Sequence, residues 1–278
     1  MFGLAAVLGV GAIVIWVLRF GAFAERGGIG LDHTILTEFG RRWLETGSLY
    51  LPSQLAGPFA AQPLGLPPAM LPAMYPPLAA LLFAPLTVLP WILWWAVPIG
   101  LVAFAFARWR PAPWTWPILA LMACWPSTSA IVIVGSSSMW ITAAVAGGLL
   151  WGWPILLVAL KPTFAPLLLI GARRWLISSG VVISAVKGRM RSGDWRSGSA
   201  EIGTPTRGPL GVKPMQGPVA FLILGAVSLL MIPEWLRYLT VLRNATGVGL
   251  FFSIGDLPLV LMPVVAWLGA ASGRAPRG

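Results

Sequence analysis

Asp32 and His33 stand side by side in the polar stretch LDHTILTEFGRRWLE at 31–45, directly after the first apolar run of the chain. A carboxylate at that place, where a membrane-borne substrate meets water, could take a proton from an attacking hydroxyl. The same residue type is also a good helix N-cap, and the two roles are compatible. His33 could donate to a phosphate, or it could simply be solvated. Lys161 interrupts a long uncharged region: no charge falls between Glu45 and Arg108, or between Arg110 and Lys161. A charge inside an apolar segment costs about 3 kcal/mol at the centre of a bilayer and marks a functional hypothesis by default. Lys161 could bind a phosphate, pair with a carboxylate or carbonyl, or snorkel to an interface. Arg237, in EWLRYLTVLRN, could reach the same phosphate or pair with Glu234 one turn away. Tyr75, in AMYPPLAALLFAPLTVLP at 73–90, sits where an aromatic belt residue would sit, and Pro76 and Pro77 stiffen the chain behind it. Asp256 reads as a helix-boundary residue.

The elements that must carry these groups follow from composition. The 278 residues are 58% hydrophobic and only 10% charged, against about 25% charged in a soluble domain. Apolar runs near 20 residues read as membrane-spanning helices, and period-2 alternation of the outer-membrane kind is nearly absent. The sequence therefore predicts an all-α polytopic membrane protein with about eight transmembrane helices, near 2–22, 78–90, 91–107, 113–134, 138–152, 153–171, 218–233 and 250–270. The domain plan is a first transmembrane helix at 1–23, an extracytoplasmic catalytic loop at 24–77, helices two to six at 78–172, a basic, partly disordered cytoplasmic loop at 173–217, and the last two helices and tail at 218–278. Residues 2–18 lack the positive flank of a signal peptide, so the first helix is expected to be retained.

Charge sets the orientation. Residues 173–213 carry eight basic residues against Asp194 and Glu201, whereas 24–77 carry three basic and four acidic residues. The positive-inside rule puts the first segment in the cytoplasm and the second outside, in the plasma (inner) membrane. The net charge of +11 then reflects anionic membrane lipids rather than nucleic acid. The stretch 31–45 has helical periodicity, with Ile35, Leu36, Phe39, Trp43 and Leu44 on one face. On the other lie Asp32, Glu38, Arg41, Arg42 and Glu45, which predicts an interfacial amphipathic helix with Glu38–Arg42 and Arg41–Glu45 pairs. One cysteine, Cys124, and one histidine rule out an intrachain disulfide and a histidine-rich zinc site.

The order of blocks carries a resemblance. An Asp follows the first span, then comes Gly47-x-x-Tyr50, then YPPLAALLFAPLTVLP. GSSSMW follows at 135–140, ALKPTFAPLLLIGARRW at 159–175 and EWLRYLTVL at 234–242. This resembles glycosyltransferase family 87 of the GT-C superfamily. These integral membrane enzymes include polyprenol-phosphate-mannose-dependent mannosyltransferases of actinobacteria. The resemblance implies a GT-C-like bundle and transfer of a hexose, mannose in such enzymes, from a polyprenyl-phosphate sugar donor to a lipid or glycan acceptor on the outer face. It places the catalytic base at Asp32 and leaves His33, Tyr75, Lys161 and Arg237 as substrate-binding candidates. No Asp-x-Asp motif is present to hold a nucleotide-sugar metal, which agrees with a lipid-phosphate donor; the reaction expected is inverting, metal-independent and without a cofactor. A transporter or lipid flippase is the alternative, as is an inactive GT-C relative serving as an assembly factor.

Overall fold

The computed structural model describes residues 2–61, 63, 66–169, 216–247 and 254–272. The described part is predominantly helical. α1 runs over Phe2–Glu25, α2 over Leu31–Thr46, α3 over Pro52–Ala56, α4 over Ala80–Phe83 and α5 over Leu93–Trp109. There follow α6 at Trp116–Cys124, α7 at Pro126–Val134, α8 at Ser138–Trp151, α9 at Gln216–Leu230, α10 at Ile232–Asn244 and α11 at Leu257–Ser272. A two-residue parallel pair, β1 (Phe59–Ala60) with β2 (Ala245–Thr246), is the one ladder among the described residues.

Helices form at all the places expected, but eight bilayer-crossing spans do not. Among the described residues only Gly3–Glu25 and Ile254–Ala271 are long and apolar enough to cross; counting two bent pairs as broken spans gives up to four. The shortfall has local causes. The fourth expected span is broken at Pro126, where helices 113–124 and 126–134 meet at 64°. The seventh continues as α9 into α10, with a 76° bend before Pro233 at the first turn of α10. Prolines keep 153–160 and 162–167 in 3-10 geometry, separated by Lys161 in an extended conformation. The fifth, α8, has only 14 residues, about 21 Å at 1.5 Å per residue, short of the roughly 30 Å hydrocarbon core.

That short helix is the centre of the molecule. Every residue of α8 but Trp140 and Trp151 is buried. It packs against α5, α11 and the 153–160 segment, and its Gly147 and Gly148 leave room for Pro154 and Ile155. One core cluster gathers here, with Trp109, Ile141, Val145, Ile155, Val158 and Val260. A second lies under α2 and includes Leu36, Phe39, Leu49, Phe83, Trp94 and Tyr238.

The segment 24–77 is more ordered than an irregular loop. Leu36, Phe39 and Gly40 of α2 are buried against 80–87, while Leu44 stays 57% exposed. Gly40 permits the approach, since a Cβ there would lie 2.3 Å from the Phe83 carbonyl oxygen. The expected ion pairs are replaced. Arg41 pairs with Glu38 at 2.9 Å, and Arg42 turns the other way. Its guanidinium donates to the carbonyls of Leu49, Ala69 and Leu71 at 2.8, 2.8 and 3.1 Å, and lies over the Phe39 ring. Five donors in a planar fork suit that task. At the far end, Asn244 donates to the Gln54 carbonyl at 2.9 Å, and β1–β2 ties the segment to the end of α10. The basic loop at 173–213 and the expected disorder at 188–217 lie outside the described residues, except for Gln216 and Gly217 at the start of α9.

Candidate active site at the start of the central helix

Three consecutive serines, Ser136, Ser137 and Ser138, open α8, and each meets a different partner. Gly135 makes this possible. It adopts φ +77°, closes α7 with a left-handed turn, and a side chain there would meet Trp95 at 2.6 Å and His33 Cβ at 3.2 Å. Two indoles brace the turn: Trp94 Nε1 donates to the Gly135 carbonyl and Trp95 Nε1 to the Val132 carbonyl, both at 2.7 Å. The Gly30 amide donates to the Ile133 carbonyl at 3.0 Å, which fastens the start of α2 beside the start of α8.

Asp32 is held within this frame. It is not an N-cap: Gly30 fills that position with φ +69°, and no side chain caps the helix. The Asp32 carboxylate meets the Ser136 hydroxyl instead. Burial pushes its pKa above the usual carboxylate value. The Ser136 hydrogen bond and the charge of Lys161 pull it back down, and the charge of Asp256 adds to the rise. Tyr75 joins from the loop before Pro76, its Oη 3.1 Å from Ser137 Oγ and its ring edge-on to Phe83 at 5.0 Å. Burial, and then the nearby Asp32 charge, raise its pKa, so it remains a neutral phenol. Its backbone is fixed in turn by Tyr50 Oη, which donates to the Tyr75 carbonyl at 2.9 Å.

Ser138 meets two charges that lie far apart in the sequence, Lys161 and Asp256. Lys161 Nζ donates to Ser138 Oγ at 2.7 Å and to Asp256 Oδ2 at 2.7 Å, while Ser138 Oγ donates to the same Oδ2 at 2.5 Å. The ion pair is well shielded, with side chains 19% and 12% exposed. Asp256 is thus more than a helix boundary. The only cue to it was its charge beside an apolar run. Nothing in the 95-residue separation from Lys161 pointed to the pairing.

Of the five residues singled out from sequence, Asp32, Tyr75 and Lys161 meet at the start of α8. His33 lies beside them, its ring between Trp94 and Trp95 at 5.9 and 5.4 Å, and its Nε2 is buried without a hydrogen-bond partner among the described residues. Burial lowers its pKa, which favours the neutral imidazole. Arg237 is the exception. It is 48% exposed and paired with Glu234 at 2.5 Å, and Glu234 also accepts from Ser48 at 2.9 Å. No hydrogen bond or ion pair among the described residues joins Arg237 to the cluster.

An apolar cleft of about 350 Å³ has Trp16, Ile99, Val102, Met139, Thr142 and Leu259 among its walls. Met139 follows Ser138 directly, and Thr142 Oγ1 donates to the Ser138 carbonyl at 2.8 Å. Leu259 lies one turn beyond Asp256. A charged, hydroxyl-rich centre and a hydrocarbon-lined cleft therefore share the first turns of α8 and α11. No family model, curated protein or solved structure matches this chain.

Proposed function

We propose that the chain is an integral membrane hexosyltransferase of the GT-C kind. In this reading it moves a hexose, mannose as the resemblance implies, from a polyprenyl-phosphate sugar to a hydroxyl of a lipid or glycan acceptor at the outer face of the membrane. The observation that carries the reading is the convergence of Asp32, Tyr75 and Lys161 on Ser136, Ser137 and Ser138. Ionisable residues within an apolar protein are costly to bury and mark a functional site by default.

The roles follow from the geometry. Asp32, poorly solvated and held by Ser136, takes the proton of the acceptor hydroxyl. The hydroxyl oxygen forms a bond to the anomeric carbon as the bond from that carbon to the phosphate oxygen breaks, which inverts the configuration. The electron pair goes to the polyprenyl phosphate. That anion is stabilised by the Lys161 ammonium, the Ser137 hydroxyl and the positive end of α8. A phosphate leaves without being protonated, so the acid partner of a glycosidase is not required. The apolar cleft beside Ser138 suits a substrate whose charged head carries a hydrocarbon tail.

A lipid flippase or transporter is the second reading, favoured by the shielded Lys161–Asp256 pair, since intramembrane charges also mark transport paths. Membranes carrying wild type or Asp32→Asn, supplied with polyprenyl-phosphate [14C]mannose, separate the two. Transfer that vanishes in Asp32→Asn supports the hexosyltransferase. Movement of the lipid across the bilayer that survives Asp32→Asn, with no transfer in either sample, supports the flippase.

A further inference from the structure

Asp256 takes no part in the chemistry set out above, yet it closes a ring. Its Oδ2 accepts from both Lys161 Nζ and Ser138 Oγ, and Lys161 also donates to Ser138. Two of the three ammonium donors are thereby fixed. Phe164 lies 5.4 Å below Nζ, and the third donor has no acceptor among the described residues. A lysine stem has four rotatable carbons and no preferred reach of its own. Held only by Ser138, Nζ could swing away from the start of α8, toward Asp32 or out to the interface. The second contact with Asp256 removes that freedom. The carboxylate is itself fixed by the backbone, because it ends the turn that begins α11 and because Ser127 Oγ donates to the neighbouring Gly255 carbonyl.

We infer that Asp256 is a positioning residue, which pins the Lys161 ammonium at the N-terminus of α8 with one N–H left over for the phosphate of a lipid-borne ligand. This rests on the reading of the site as one for a polyprenyl phosphate. Asp256 does not touch the ligand; it acts through Lys161. The charged groups around the ammonium are Asp32 from α2 and Asp256 from the turn before α11, with the Tyr75 phenol close to Asp32. Of the two carboxylates, Asp256 is the one in direct contact with Lys161.

The test uses the full chain in lipid nanodiscs and measures polyprenyl monophosphate binding, the KM for donor and for acceptor, and thermal unfolding. Asp256→Asn is expected to weaken polyprenyl phosphate binding about tenfold or more, the loss of one charge-assisted contact. The donor KM should rise with it and the acceptor KM should stay unchanged. Asp256→Glu should recover most of the binding. The double variant Lys161→Met/Asp256→Leu, which leaves no unpaired charge, should unfold near the wild-type temperature and still fail to bind; Asp256→Ser, which keeps Lys161 and removes its second partner, carries the test if Asp256→Asn does not fold and should weaken binding to the same extent. Wild-type binding in Asp256→Asn or in the double variant overturns the inference, as does a Glu variant no better than Asn. Hexose transfer with an indifferent Asp256→Asn would sink the inference alone. Binding that depends on Asp256, with no hexose transfer by wild type, would sink the transferase reading alone.

Discussion

Asp32 shows how a single side chain can be poised by opposing neighbours. A base must be ionised to act, so transfer should rise with pH through the Asp32 pKa, which burial sets above that of an ordinary carboxylate. Ser136 opposes that rise by donating to the ionised form. Ser136→Ala should therefore move the acid limb of the kcat/KM profile to still higher pH and leave the plateau nearly intact. A pH–rate series on the two proteins checks this; an unmoved or lowered acid limb would contradict it. Sequence reading found Asp32 because of its type and its place after the first apolar run. It could not tell that Asp32 is not the cap, because that is decided by Gly30 in a left-handed conformation and by Ser136 about a hundred residues further on. For Arg237 the sequence offered two readings, a phosphate contact and a local pair. The structure shows the local pair with Glu234 at i,i+3.

At the scale of elements, α2 was the most legible part of the chain. Its hydrophobic face, Leu36, Phe39 and Trp43, can be read from the 3.6-residue period, and it packs against the core. What it rests on could not be read, since nothing in the sequence marks Gly40 as a contact. It is the contact point with the Phe83–Ala84 backbone. Gly40→Ala should lower stability by about 1–3 kcal/mol through overpacking, despite the better helix propensity of alanine. Thermal unfolding in detergent reads this directly, and an unchanged or higher Tm would contradict it. Arg42 was expected to serve an ion pair and instead gathers three carbonyls from the loop that leads to Tyr75. Arg42→Met should therefore speed proteolysis within 49–71 and slow transfer, while Arg41→Met, on an exposed pair worth less than 1 kcal/mol, should do neither.

For the whole molecule, composition made the helical, membrane-associated class plain, and the count of spans was where periodicity failed. Hydropathy registers apolar length but not the breaks at Pro126 and Lys161-Pro162, which fold nominal spans into shorter pieces around α8. Burial inside a protein and burial in lipid leave the same hydrophobic record. The proposed orientation is open to a direct check, because Cys124 is the only cysteine. In a Cys124→Ala background, Ser53→Cys, on the exposed face of α3, should react with a membrane-impermeant maleimide added outside intact cells. Labelling only after the inner face is opened would reverse the topology.

The central claim is that one carboxylate at the start of α2 performs the chemistry beside the start of α8. Purified protein in lipid vesicles, given a radiolabelled polyprenyl-phosphate hexose and an acceptor extract, tests it most directly. Wild type should transfer the sugar, and Asp32→Asn, equal in thermal stability, should lose about 10²–10⁴-fold in rate, the usual contribution of a positioned base. Transfer by Asp32→Asn at the wild-type rate would contradict the account.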